Sequence, residues 1–215
     1  RNIVQEHLSD IHNWTVEDRT KLNASKSVEV VFTNRNYVHN PILLGGVIVP
    51  HAYSTKYLGL TLDAKLKYKE HILKKKEEVK LKFSKMYWLL GKRSKLPLHI
   101  KTLLYKTMLR PIWSYACQLW ACTANSNLKI IEIQQNKILR VISNARWYQR
   151  NADIHKDLEV ETVEEYICRM ANNYERRLLV HPNTEAIQLL DWSEKIRRLK
   201  KRKPWELTFY GFKKL

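Results

Sequence analysis

The sequence predicts an α+β protein that is mostly α: a small β-containing segment up to about residue 62, then helices. Three observations carry this. Residues 27–33 (Ser-Val-Glu-Val-Val-Phe-Thr) alternate and are β-branched, and Gly45-Gly46 separates two apolar runs. From residue 69 onward apolar side chains recur at helical spacing. Only 5 Gly and 6 Pro occur among 215 residues, too few for a collagen-like or loop-rich scaffold, and 44% hydrophobic residues exclude overall disorder.

In chain order, Ile3, Val4, Leu8, Ile11 and Trp14 fall on one side of a helix over residues 1–16. Residues 27–33 predict a strand. Residues 42–49 predict a hairpin, because a two-residue turn at Gly45-Gly46 requires positive φ. Residues 56–62 (Lys-Tyr-Leu-Gly-Leu-Thr-Leu) predict a further strand. Ile72, Val79, Phe83, Met86 and Leu90 keep one face of a helix over 69–90, with Lys76 interrupting the stripe and Gly91 placed to end it. Pro97 suits a first helical turn. Ile100, Leu103, Leu104 and Met108 are expected as the buried face of that helix, which Pro111 should end or kink. The apolar stretch 112–124 is interrupted by Ser114, Gln118 and Thr123. It predicts a buried helix or turn rather than the roughly 20 apolar residues of a membrane span. Leu128, Ile131, Ile138 and Ile142 are in phase over 127–143. Thr162 with Glu165 forms a capping box ahead of a helix carrying Val163, Ile167, Met170, Tyr174 and Leu178. Residues 184–202 are expected to be helical. No internal repeat occurs, and short connections after a boundary near Asp63 predict a bundle.

Lys and Arg number 39 against 21 Asp and Glu, a formal charge of +18. That surplus points to a polyanion, most often nucleic acid, although any single lysine reads as solvated surface. An anionic membrane surface is a weaker reading, since no acylation motif accompanies the charge. One concentration comprises Lys65, Lys67, Lys69, Lys74, Lys75, Lys76, Lys80, Lys82 and Lys85; a second runs from Lys195 to Lys203. Three cysteines exclude a disulfide framework and fit a reducing compartment, nucleus or cytoplasm. The first residue is Arg1 and no apolar signal segment follows, so the chain is expected to begin inside a longer protein.

A search for catalytic chemistry finds none complete. Cys117 and Cys122 have four residues between them and no His pair beside them, which favours buried thiols. His155 with Asp157, and His181 with Asp191, lack metal-site spacing, so no metal site is expected and His155 reads as structural or capping. No nucleophile elbow and no P-loop are present. A two-metal polymerase or nuclease needs converging carboxylates. The chain has no adjacent Asp-Asp pair, and Glu77-Glu78 and Glu164-Glu165 read as solvated helix faces. Trp113, Trp120 and Trp147 lie among basic residues, where core packing is favoured over stacking on bases. Composition and spacing alone reach a basic, largely helical nucleic-acid-binding protein. A helical interaction protein without nucleic acid is the other class.

Several stretches taken together resemble the C-terminal half of a reverse transcriptase from jockey-like non-LTR retrotransposons. They are Trp14, Lys21-Leu22-Asn23, Lys26-Ser27 and Val30-Val31-Phe32-Thr33; Lys56-Tyr57-Leu58-Gly59-Leu60-Thr61-Leu62-Asp63; and Leu104-Tyr105-Lys106 through Leu109-Arg110-Pro111-Ile112-Trp113-Ser114-Tyr115 to Gln118-Leu119-Trp120. Ile133-Gln134, Asn136-Lys137 and Leu139-Arg140 follow, then Trp147-Tyr148, Asn151, Ile154-His155 and Asp157-Leu158, then Arg177-Leu178 and His181-Pro182-Asn183. Each motif is weak alone; their order over nearly the whole chain is specific.

The resemblance implies an incomplete palm-edge β segment over 1–62, a helical thumb bundle over 63–125 and a basic helical region over 126–215. It implies an RNA-directed DNA polymerase by parentage, inactive as this piece alone. The catalytic Asp-Asp strand would lie upstream of Arg1. Magnesium would belong to the intact enzyme and no cofactor to this part. The implied partners are an RNA template and a DNA primer, with no membrane; the oligomeric state is left open. Lys26 matches the motif-D lysine, which serves as a general acid near the leaving pyrophosphate; the alternative is a lysine facing solvent. Tyr57, Leu58 and Gly59 match the primer grip, where glycine lets the backbone approach the primer; the alternative is a strand with a bulge. Lys74, Lys75 and Lys82 would contact backbone phosphates from the thumb. The alternative to the polymerase reading is a stand-alone basic nucleic-acid-binding module, a domesticated remnant with no catalysis.

Overall fold

The computed structural model describes residues 2–187. The basic block from Lys195 to Lys203, and the part of the expected helix beyond residue 187, lie outside the described residues. Contacts divide the chain between Leu66 and Lys67 into two compact units. The architecture is mostly helical with two small antiparallel sheets, as expected.

The first unit opens with helix α1 (Asn2–Glu17). Its expected apolar side is not buried: Ile3, Val4, Ile11 and Trp14 are exposed, and Thr15 is buried instead. The helix is held by a polar contact. The Gln5 side-chain amide donates to the Leu43 carbonyl (2.9 Å) and its oxygen accepts from the Leu43 N–H (3.0 Å), standing in for a neighbouring strand. Strands β1 (Leu43–Leu44) and β2 (Val47–Ile48) form the expected hairpin, with φ of 56° at Gly45 and 80° at Gly46. Both central residues thus occupy the left-handed region that a type I′ turn demands.

Two expectations are corrected here. Residues 56–62 are not one strand but most of a second hairpin: β3 (Ser54–Tyr57) pairs with β4 (Leu60–Asp63). Leu58 (φ 45°) and Gly59 (φ 81°) make its two-residue turn. Residues 27–33 form no regular strand; Glu29 makes an isolated parallel bridge with His51. A β-branched run supplies propensity, but a strand needs a hydrogen-bonding neighbour along its length.

The second unit begins with helix α2 (Lys69–Lys85) and the short α3 (Tyr87–Leu90), broken at Met86. Ile72, Val79, Met86 and Leu90 are buried along the expected stripe. Helix α4 (Leu98–Leu104) runs through a π-helical turn (Tyr105–Leu109) into α5 (Arg110–Ser114). The buried face of this segment corrects the expected one. Lys101, Thr102, Tyr105, Leu109 and Trp113 are buried, whereas Leu103 and Met108 are exposed. The physical reason lies in the wide turn. The Arg110 N–H donates to the Tyr105 carbonyl five residues back, which makes room for Pro111 in the next turn. A wider turn keeps a strict four-residue spacing (101, 105, 109, 113) on one face, where a 3.6-residue period would let it drift.

After α6 (Cys117–Trp120), helix α7 (Asn125–Ile142) lies against α2 and other helices of the unit and buries Ile131, Gln135, Ile138, Leu139 and Ile142. Helix α8 (Asn151–Asp157) was not expected. It presents the buried His155, whose Nδ1 meets the Val160 carbonyl and Nε2 the Asn136 Oδ1, each at 2.7 Å. This is the structural histidine foreseen. Helix α9 (Val163–Leu179) starts with the expected capping box: Thr162 Oγ1 accepts from the Glu165 N–H (3.2 Å), and Glu165 accepts from the Thr162 N–H (2.8 Å). The short α10 (Thr184–Ile187) ends the described chain.

Candidate nucleic-acid interface

Helix α2 carries seven lysines against three glutamates. At about 100° per residue, Lys75 and Lys82 share one edge of the packed face, and Lys74 lies about a quarter-turn away toward solvent. Lys74 pairs with Glu70 and Lys75 with Glu78, both at 2.8 Å; Lys80 approaches Glu77 at 3.5 Å. Glu77 and Glu78 are exposed, as the sequence suggested, and pair with neighbouring lysines at the surface. Such i,i+3 and i,i+4 pairs are weak and exchange readily for a phosphate contact.

Beneath this edge His71 is buried against Trp120, with ring centroids 6.1 Å apart. Burial first, and the Lys75 charge second, push His71 down to about 4. At neutral pH it adds no charge to the helix.

Tyr57, Leu58 and Gly59 occupy the tip of the second hairpin, where all three side chains or backbones are exposed. Gly59 sits at positive φ in the two-residue turn, so the strand-with-bulge alternative is replaced by a hairpin turn. Lys26 is exposed and ends a single 3-10 turn, Ala24–Lys26. Asn23 caps that turn, accepting from the Lys26 N–H at 3.3 Å.

The three tryptophans separate. Trp113 and Trp120 are core residues at 2% and 1% exposure, as favoured, but Trp147 is 89% exposed, which corrects the core expectation for it. Trp147 sits on the loop between α7 and α8, edge-on to Tyr148. Arg140 shapes that loop. Its guanidinium donates to the carbonyls of Gln149, Arg146 and Trp147 and to Asn151 Oδ1, all at 2.8–3.0 Å. An open groove there is lined by Asn136, Lys137, Arg140, Trp147, Arg150 and Asn151.

The cysteines offer no reactive thiolate. Burial pushes Cys117 up to about 12 and Cys168 up to about 11, and all three cysteines are buried and outside any disulfide. Among the described residues the convergent group of potential metal ligands is Glu29, His39 and His51. Sequence reasoning missed it because spacings of ten and twelve residues match no short ligand motif. That group holds one carboxylate, whereas a two-metal polymerase centre needs several converging ones. No helix among them is long and apolar enough to cross a membrane.

Comparison with known proteins gives a consistent set of relatives. The chain is 36% identical over 204 residues to the "Probable RNA-directed DNA polymerase from transposon X-element" of Drosophila melanogaster, covering 95% of the chain and 22% of that protein. It is 36% identical over 212 residues to the RNA-directed DNA polymerase from mobile element jockey of the same species, covering 95% of the chain and 23% of the relative. The jockey polymerase of Drosophila funebris matches at 36% over 186 residues, 86% of the chain and 20% of that protein. The chain thus spans about a fifth of the length of the curated relatives it matches. No protein-family model matches it, and no solved structure matches it significantly.

Proposed function

We propose, from the kinship of this chain with jockey-like non-LTR transposon reverse transcriptases, that it supplies template-primer-holding surface to an RNA-directed DNA polymerase. One observation carries the reading: similarity to such polymerases along nearly the whole chain. In this proposal the Tyr57–Gly59 hairpin tip is the primer grip. Its exposure and its rigid two-residue turn suit contact with a strand backbone. Lys74, Lys75 and Lys82 neutralise phosphates without reading bases. Lys26, exposed at the end of its 3-10 turn, is the candidate proton donor to the leaving pyrophosphate.

Residues 1–62 then act as palm edge, 63–125 as thumb and 126–215 as a further basic region. The exposed apolar side of α1 is what a helix packed against more palm would carry. Magnesium belongs to the intact polymerase, and no chemical step is assigned through it here. Nucleus and cytoplasm are the compartments this function requires, and three cysteines outside any disulfide suit them. Exposed Trp147 beside Lys137 and Arg150 favours an added role for the second unit in stacking on unpaired template bases.

The test is binding of an RNA–DNA primer-template to the purified chain across a salt series. Wild type should bind with a steep salt dependence. Replacing Lys74, Lys75 and Lys82 by glutamine should reduce the log–log slope by about 2–3. An unchanged slope overturns the phosphate role. Absence of any salt-dependent binding overturns the whole reading.

A further inference from the structure

We infer that the first unit holds a zinc ion between Glu29, His39 and His51. The three ligand atoms are Glu29 Oε2, His39 Nε2 and His51 Nδ1. His39 Nε2 lies 2.8 Å from Glu29 Oε2, His51 Nδ1 lies 4.0 Å from it, and all three fall within 4.8 Å of one another. Ligand atoms around a tetrahedral zinc are separated by about 3.4 Å. The two separations from Glu29 Oε2 each lie about 0.6 Å from that value, and the third is at most 4.8 Å, so small side-chain adjustments convert the present arrangement into a coordination shell.

A proton shared by His39 and Glu29 accounts for only part of this geometry. His51 Nδ1 is buried without a hydrogen-bond partner, and it faces a carboxylate oxygen. The other ring nitrogen, Nε2, lies 2.9 Å from the Tyr37 hydroxyl. In the tautomer with Nε2–H donating to that hydroxyl, Nδ1 carries the lone pair that a metal ligand requires, 4.0 Å from the Glu29 carboxylate oxygen. A cation reaching all three atoms would satisfy the buried Nδ1. The Tyr37 contact is then the outer hydrogen bond that orients a ligating imidazole.

The site is built rather than incidental. The Glu29 N–H donates to the Pro50 carbonyl and the Ala52 N–H to the Glu29 carbonyl, both at 2.9 Å. Two ligands thus sit on backbones clamped together, on either side of His51. The His39 and His51 rings lie 4.2 Å apart, and Tyr53 packs edge-on against His51 at 5.3 Å. Glu29 and His51 side chains are 13% and 14% exposed, while His39 at 31% leaves an approach for the ion and for a water in the fourth position. Two imidazoles and one carboxylate select zinc over magnesium or calcium, which demand oxygen shells. The ion would tie the chain between residues 29 and 51, where regular structure is scarce, and so close a loop whose ordering is otherwise costly.

The test uses the full chain, freed of metal by a chelator and titrated with cobalt and then zinc. The expected result is one equivalent of cobalt with the visible bands of a tetrahedral site, displaced by zinc, and a rise in thermal midpoint with zinc. His39→Gln, His51→Gln and Glu29→Gln should each weaken binding about 100-fold, Tyr37→Phe about 10-fold, and His7→Gln not at all. If His51→Gln fails to fold by circular dichroism, His39→Gln decides, since its ring is the most exposed of the three. Absence of tetrahedral bands, no zinc-induced rise in wild type, or affinity unchanged in His39→Gln overturns the inference. None of these readouts involves nucleic acid, so its failure is separable from that of the proposed function.

Discussion

Lys101 donates its ammonium to the Gly91 carbonyl at 3.0 Å, across the connection between α3 and α4. A second bond reaches the Ser94 carbonyl at 3.2 Å, and the lysine is only 6% exposed. This basic residue holds the 91–97 connection closed instead of facing solvent or nucleic acid. Lys101→Met keeps the aliphatic stem but removes both donors. It should cost about 1–3 kcal/mol in urea denaturation, with nucleic-acid affinity per folded molecule unchanged. A neutral effect on stability would show that the two carbonyls find water instead.

The π-helical turn makes a second expectation. Leu109 is fully buried and Leu103 is 53% exposed, although the regular period assigned burial to Leu103. Leu109→Ala should lose about 2–5 kcal/mol, and Leu103→Ala about 0.5 kcal/mol or less. Equal losses would mean that the segment is a regular helix with the other register.

Acid should act in two windows. His71 falls from 6.5 to about 4 in the folded state, so the unfolded chain takes up a proton first as pH drops. Stability is therefore lost between pH 6.5 and about 4, and His71→Gln should flatten that slope. Glu161 is held below its usual range chiefly by hydrogen bonds from Arg169, at 2.5 and 2.8 Å. Its contribution is present above the unfolded carboxyl value of 4.5 and disappears as pH falls through the lower folded value. Glu161→Gln should remove this lower window and leave the upper one. Denaturant titrations at a series of pH values separate the two.

Thr162 caps α9 through its hydroxyl, reciprocated by Glu165. Thr162→Ala should cost about 1 kcal/mol, and Thr162→Ser should restore most of it. Chemical denaturation of the two variants side by side decides whether the hydroxyl, rather than the methyl, matters.

Trp147 provides a prediction about binding without one about folding. At 89% exposure its removal should leave the thermal midpoint unchanged. If it stacks on a base, Trp147→Ala should weaken single-stranded RNA binding by about 1–3 kcal/mol. Trp113→Ala, by contrast, should destabilise the fold by about 3–5 kcal/mol.

Local signals were readable residue by residue. The Thr162–Glu165 box, the Gly45-Gly46 turn and the stripe from Ile72 to Leu90 each depend on neighbours within a turn or two, so the chain states them directly. Gly59 was recognised as special, but its place in a two-residue turn was not legible, because one glycine fits a bulge, a close approach or a turn equally well. Glu29, His39 and His51 went unnoticed because no local rule brings residues ten and twelve apart to one point.

The sequence by itself determined a basic, mostly helical α+β chain, the positions of its principal helices and first hairpin, and its kinship with transposon polymerases. These follow from composition, period and ordered motifs, which need no knowledge of distant contacts. Tertiary structure decided which face of each helix is inside, that Lys101 is buried while Trp147 is not, and that three separated ligand-bearing residues meet. Burial and convergence depend on what a segment packs against, and that partner lies far along the chain.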